Sequence, residues 1–195
     1  TALSIGGNAA TPVTGARMAY GPAALGGIGN LAKWYTLEDD STSGTAAVSA
    51  TVSGSGSGLT ALLVWEITGA AASPGAIQTK GADGTDQTLS ITTTAANSLI
   101  LHGLEGITAP GTPASGFAED FDVATGPALH WGGSRAAVTA TSYTVGATIT
   151  TYFGFESAAG VAIEVLEGSS GSSALVEPPA VNVTVAAPVP AVVGI

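Results

Sequence analysis

Residues 59–68 read LTALLVWEIT, an apolar run poorly suited to facing water on either side. Taken alternately, Leu59, Ala61, Leu63, Trp65 and Ile67 fall on one side of an extended segment, and Thr60, Leu62, Val64, Glu66 and Thr68 fall on the other. The first set is wholly apolar. The second mixes Leu62 and Val64 with polar ends, which is the pattern of a strand covered for part of its length on both faces. We read it as the middle strand of a β-sandwich.

Toward the N-terminus, the flexible stretch GSGSG at 54–58 joins this run to a half-buried strand in which Val48, Ala50 and Val52 alternate with Ser49, Thr51 and Ser53. Before it, LAKWYTL at 31–37 fits either a helical turn or a strand, and Trp34, Tyr35 and Thr36 favour the strand. Residues 1–30 are rich in Gly, Ala and Pro and read as an arm or long loops, with at most a short strand over 16–20. Toward the C-terminus, alternation predicts strands over 87–92, 98–107, 136–145, 147–155 and 160–166. A turn at Val145-Gly146 would join two of them as a hairpin. Residues 108–127, with Pro110, Pro113 and the piece FAEDFD, read as a long surface connection. No internal repeat and no amphipathic helical period is found.

The expected fold is all-β, an antiparallel β-sandwich of jelly-roll or immunoglobulin-like type with extended N- and C-terminal arms. Its parts are an arm and loops over 1–30, a sandwich domain over 31–167, and a Gly/Ser linker with a Pro/Val-rich arm over 168–195. The expected core holds Leu63, Trp65, Ile67, Leu99, Leu101, Ile149, Phe153, Val161, Ile163 and Val165.

Composition narrows the function. The 195 residues suffice for one core with length left for arms. Charged residues make up only 9%, and the mean hydropathy is +0.43. No uninterrupted apolar stretch approaches the roughly 18 residues that span a bilayer, so membrane insertion is not expected. Four basic residues, Arg17, Lys33, Lys80 and Arg135, stand scattered against fourteen acidic ones for a net charge of -10. Phosphate binding needs a clustered positive field, so a nucleic-acid partner is not expected either. The absence of Cys removes disulfides, thiolate metal sites and cysteine nucleophiles together. The opening TALSIGG has neither a basic n-region nor an apolar h-region, which fits a chain made without export or one already processed.

Motifs for chemistry are sparse. His102 and His130 lack a ligand-type neighbour at i+2 or i+4, so each is read as a satisfied or exposed polar residue rather than a zinc ligand. There is no nucleophile elbow, P-loop or dinucleotide fingerprint. Glu66, Glu105, Glu156 and Glu164 lie on predicted strands and could supply the paired carboxylates of a glycan-cleaving enzyme. Calcium could draw on Glu38, Asp39 and Asp40, on Asp83 and Asp86, or on Glu119, Asp120 and Asp122, but solvated loop charge explains these better and no cofactor is expected. Trp34, Tyr35 and Trp131 read as lying in or beside loops, where a flat ring could stack on a sugar, although Trp131 could equally cap the core.

The tail carries the clearest signal of contact with a neighbour. After GSSGSS at 168–173, four prolines at 178, 179, 188 and 190 forbid a central strand, while Val181, Val183 and Val185 alternate like an edge strand. These three valines with Pro188 and Pro190 are the expected docking residues, with Trp34 and Trp131 as further interaction candidates; the alternative for the tail is that it folds back on its own domain.

The order KWYTLED, AAVSATVSGSGSG, LLVWEITGA, QTLSITTTAANSLIL and SYTVGATITTYFGFESAAGVAIEVLE over about residues 16–167 resembles the β-sandwich virion proteins of tailed bacteriophages, and PPAVNVTVAAPVPAVVG is similar to Pro/Val-rich segments of tail and decoration proteins. The resemblance implies a non-enzymatic structural protein on the virion exterior, a head-decoration or tail/fibre subunit. Its expected partners are copies of itself and capsid or tail protein. The alternative is a secreted or cell-surface carbohydrate-binding adhesin module that recognises glycan.

Overall fold

A computed structural model describes residues 2–5, 8–20, 30–36, 48–51, 61–106, 109–125, 128–150 and 157–168. Among the described residues all regular structure is β. In chain order the strands are β1 (Ala2–Ile5), β2 (Asn8–Ala9), β3 (Thr11–Tyr20), β4 (Asn30–Thr36), β5 (Val48–Thr51), β6 (Ile77–Asp83) and β7 (Leu89–Thr92). They continue with β8 (Ser98–Gly106), β9 (Ala109–Pro113), β10 (Ala118–Thr125), β11 (Ala128–Ala137), β12 (Ser142–Val145), β13 (Ala147–Thr150) and β14 (Ser157–Val165).

The frame is a five-stranded antiparallel sheet in the order β10-β11-β8-β14-β6. Strand β14, SAAGVAIEV, is buried at every position, and β8, SLILHGLEG, at all but two. A strand buried on both faces must have a layer above and below it. On one face Leu99 and Leu101 lie beside Val165 and Ile163. The ribbon of β3 and β4 covers them with Val13, Ala16, Met18, Ala32 and Trp34, joined by Trp65 and Ile67. On the other face Ile100 and Leu104 meet Ile91, Tyr143, Val145, Ala147, Ile149, Phe117 and Trp131. The paired strands β7-β12 and β9-β13 supply most of that cover. The molecule is therefore all-β and sandwich-like.

Several expectations are met and others are corrected. Strands β4, β5, β7, β8 and β14 fall where alternation predicts them. Of the predicted core, Leu99, Leu101, Ile149, Val161, Ile163 and Val165 are buried, while Phe153 lies outside the described residues. The run at 59–68 is not the middle strand: its described part, 61–68, joins no sheet and lies over the face that β8 and β14 form. The predicted hairpin at Val145-Gly146 is also absent, because β12 pairs with β7 and β13 pairs with β9. One residue is too few to reverse a chain, and Gly146, with φ 97°, instead turns a corner between the two pairs. The connection at 108–127 contains β9 and the edge strand β10. Strand β3 begins at Thr11, well before the short segment expected at 16–20, and contributes Val13 and Ala16 to the core.

One fully buried carboxylate ties the ends of several strands together. Glu164 of β14 accepts the backbone N–H of Ala76 at 2.8 Å, of Thr94 at 2.9 Å and of Ala95 at 3.0 Å. It also accepts the hydroxyls of Thr94 at 2.8 Å and Ser98 at 2.9 Å. Burial alone would raise this carboxyl, but the N–H groups of Ala76 and Thr94, then the Thr94 hydroxyl and the Ala95 N–H, outweigh it and bring it down to about 2. Gly75 is required at the rim, since a Cβ there would lie 2.3 Å from a Glu164 oxygen. Glu164→Ala leaves several buried donors without an acceptor and should cost about 3 kcal/mol or more, with Gly75→Ala destabilising in the same sense. Urea unfolding of the two variants checks both expectations.

On the same face His102 is fully buried, and neither ring nitrogen has a hydrogen-bond partner. Its ring sits 5.9 Å from that of Trp131 and 6.3 Å from that of Phe117. Burial, with a smaller contribution from Lys80, lowers its pKa to about 3 from 6.5. An unfolded chain takes up this proton near 6.5 and the folded chain only near 3, so His102 removes stability as pH falls through that interval. Glu164 adds to the loss from 4.5 down to about 2. Between pH 7 and pH 5 the parent should lose roughly 2 kcal/mol more than His102→Leu, as read from urea midpoints at the two pH values.

Candidate functional site

A grouping of polar and aromatic side chains lies along β8, β11 and β10, neighbours in that order in the sheet. Gly103 of β8 and Gly132 of β11 are direct cross-strand neighbours. A Cβ at Gly132 would come within 2.9 Å of Leu63 and of the Trp65 ring, and one at Gly103 would face the Trp34 ring at 3.7 Å. The two glycines thus make a flat floor on which large rings can lie against backbone. Trp34 and Trp65 stack there with centroids 4.9 Å apart, and Trp65 meets the edge of Phe121 at 4.9 Å.

Both indole N–H groups are spent on the sheet. Trp34 donates to the Val161 carbonyl at 3.1 Å, and Trp65 donates to Asp120 at 2.7 Å. Asp120 reaches this face because the β10-β11 register shifts between Glu119 and Phe121, leaving it as the extra residue of a bulge. Its other oxygen accepts the Ser134 hydroxyl at 3.0 Å.

Two residues along each strand from the glycine floor, Glu105 and His130 stand opposite one another. His130 Nδ1 and Glu105 Oε2 are hydrogen-bonded, with the imidazole 2% exposed and the carboxyl 21% exposed. Burial raises the Glu105 pKa, and the hydrogen bond and charge of His130 only partly offset it. The Glu105 carboxyl is thus held above its usual range while hydrogen-bonded to the buried imidazole.

Comparison with family models, with curated proteins and with solved structures finds no match to this chain.

The residues singled out from sequence are therefore weighed on geometry alone. Trp34 is half-buried and belongs to the aromatic stack. Trp131 is not a loop-tip ring. It stands inside β11 at 0% exposure, on the opposite face from Trp34, and donates its indole N–H to Glu119 at 3.0 Å. The glycines at 132 and 133 suggest a turn from sequence, but in β11 they make room for neighbours: a Cβ at Gly133 would meet Phe117 at 2.4 Å. Val181, Val183, Val185, Pro188 and Pro190 lie outside the described residues, as do Glu38, Asp39, Asp40 and Glu156.

Of the four glutamates considered as a pair, Glu66 is exposed and off any strand. Glu105 and Glu164 sit on opposite faces of the sheet. Among the described residues no three acidic or histidine side chains are grouped to hold a metal ion. Asp86 accepts from Thr88, and Glu119 and Asp120 accept from tryptophans. The bulge at Asp120 and the Glu105–His130 pair escaped the sequence reading, because both depend on cross-strand register. If the glycine floor seats the stack, Gly132→Val should cost about 1 to 3 kcal/mol and red-shift tryptophan emission as Trp65 is displaced. Denaturation followed by fluorescence measures both.

Proposed function

We propose that this chain is a non-enzymatic structural protein of a tailed-bacteriophage virion, a head-decoration or tail/fibre subunit on the particle exterior. In this reading it is a jelly-roll or immunoglobulin-like sandwich that docks on neighbouring subunits through extended terminal arms. The observation that carries the reading is in the sequence after Glu177: residues 178–195 contain no charged residue, four prolines and a run of alternating valines. An extended segment of that composition would present unpaired backbone donors and acceptors along with apolar side chains, and such a segment persists in water most easily when covered. The preceding GSSGSS gives it a reach of about 12 to 15 Å. Further support comes from where the polar chemistry is spent. Glu164, Asp120, Glu119 and the three indole N–H groups are spent inside the fold, holding strands to one another and to the segments beside them. The last described residue, Gly168, donates its N–H to Gly69 at 2.7 Å, so the sandwich is pinned at the point where the linker begins.

A second reading, as a carbohydrate-binding module, draws on the partly exposed Trp34–Trp65 stack beside the Glu105 carboxyl. Rings already stacked on one another and bonded through their N–H groups offer a sugar less free surface than a lone exposed indole, which places this reading second.

Deleting residues 169–195 should leave a folded sandwich that melts within a few degrees of the full chain and no longer co-sediments with its particle. A truncated protein that binds normally but melts many degrees lower would assign the segment to its own domain. Retention of the full chain on a glycan array, with no particle binding, would favour the second reading.

A further inference from the structure

The chain holds only four basic residues, and two of them are used internally. Lys80 donates to the carbonyls of Asp86 at 2.9 Å and Thr88 at 2.7 Å. Arg135 donates to the Ser115 carbonyl at 2.9 Å and lies over the Tyr143 ring. The other two, Arg17 and Lys33, are exposed and stand directly opposite one another in the β3-β4 register. Like charges so placed repel and destabilise a ribbon, and among the described residues neither has an ion-pair partner. Beside them on the same outward face are Leu31, 45% exposed and opposite Ala19, and Tyr35, whose ring lies 4.7 Å from the Lys33 ammonium. The inward face of the same ribbon carries Ala16, Met18, Ala32 and Trp34 and is already committed to the core.

A complementary patch exists on β10. Residues 119 and 122 are an odd number apart and would ordinarily point to opposite faces, but the bulge at Asp120 brings them to one side. Glu119 pairs with Gly133 and Asp122 with Trp131, two residues apart on β11. Both acids are exposed. They feel each other: burial first, and then the Glu119 charge, raise the Asp122 carboxyl.

We propose that the outer face of the β3-β4 ribbon, centred on Arg17 and Lys33, docks on the Glu119 and Asp122 patch of a second copy of this chain. The inference rests on the reading of the protein as a multimerising structural subunit and names the surfaces it would use. Each patch is a like-charged pair that is unfavourable alone and relieved when matched. The two cannot meet within one chain, because the ribbon covers one face of the five-stranded sheet and the acids stand at its far edge on the other face. The contact joins unlike surfaces of two copies, so it closes as a reciprocal two-fold pair where both contacts form at once and runs head to tail into rings or arrays where only one does.

Sedimentation velocity on the full chain over rising concentration tests this. The parent should associate reversibly, and Arg17→Glu/Lys33→Glu and Asp122→Lys should each weaken association at least tenfold while keeping the parent's melting temperature. Mixing the two variants should restore association, because the unaltered ribbon of the Asp122→Lys variant meets the unaltered acidic patch of the other. A parent that stays monomeric to millimolar concentration, variants that associate like the parent, or a mixture that fails to recover overturns the proposal. Particle co-sedimentation separates it from the functional reading. Unchanged particle binding without self-association removes this surface and leaves the structural role standing. Self-association with the expected charge-swap pattern but no particle binding does the reverse.

Discussion

A carboxylate buried without a cation needs donors on every side, and that requirement organises one face of this molecule. Glu164 draws its donors from Ala76, just before β6, from Thr94 and Ala95, just after β7, and from Ser98, the first residue of β8. One side chain thereby fixes the ends of three strands against β14. Burying a charge costs several kcal/mol that the surrounding hydrogen bonds must repay, so the arrangement is better regarded as specifying register than as adding net stability. A one-residue slip of β14 would put Ile163 or Val165 against the ring of donors and Glu164 against Leu99 and Leu101. Gly75 and the left-handed Asn97, with φ 56°, are local concessions that let the two loops close on the carboxylate.

Elsewhere the packing depends on the near absence of side chains. Gly103 and Gly132 admit the Trp34–Trp65 stack, Gly133 admits Phe117, and Gly160 admits His102. With aromatics at only 6% of the chain, a few large rings set on bare backbone fill space that other sandwiches fill with Leu and Ile. Among the described residues, His102 is the exception to the hydrogen bonding of buried side chains. Its unpartnered imidazole in an otherwise apolar cluster makes this face sensitive to acid at higher pH than the Glu164 cage does.

Much of the fold could be read from sequence, because alternation is a local signal. β8 is predicted to within a residue and β14 from Gly160 onward, three residues after its start, and Val161, Ile163 and Val165 share a core face as their spacing requires. The misreadings have common physical causes. Residues 61–67 are apolar enough for a central strand, but hydropathy records burial and not ladder partners, and this segment is half-buried as a cover. Glycine carries two meanings, turn and close approach, and at 132–133 the second applies. Little of the site could be read, since Glu105 meets His130, and Asp120 meets Trp65, across 25 and 55 residues.

The charge of the chain constrains how such a sandwich can associate. At -10, two copies repel at long range, and an exposed strand edge is protected against indiscriminate pairing. The bulge in β10 adds to that protection by breaking the even spacing of its outward donors and acceptors. Specific contact then has to come from short-range features strong enough to overcome the repulsion, such as matched charges or an apolar segment. Because free basic charge among the described residues is confined to the β3-β4 ribbon, few relative orientations of two copies bring opposite charges together, and the scarcity of cations itself gives direction to assembly.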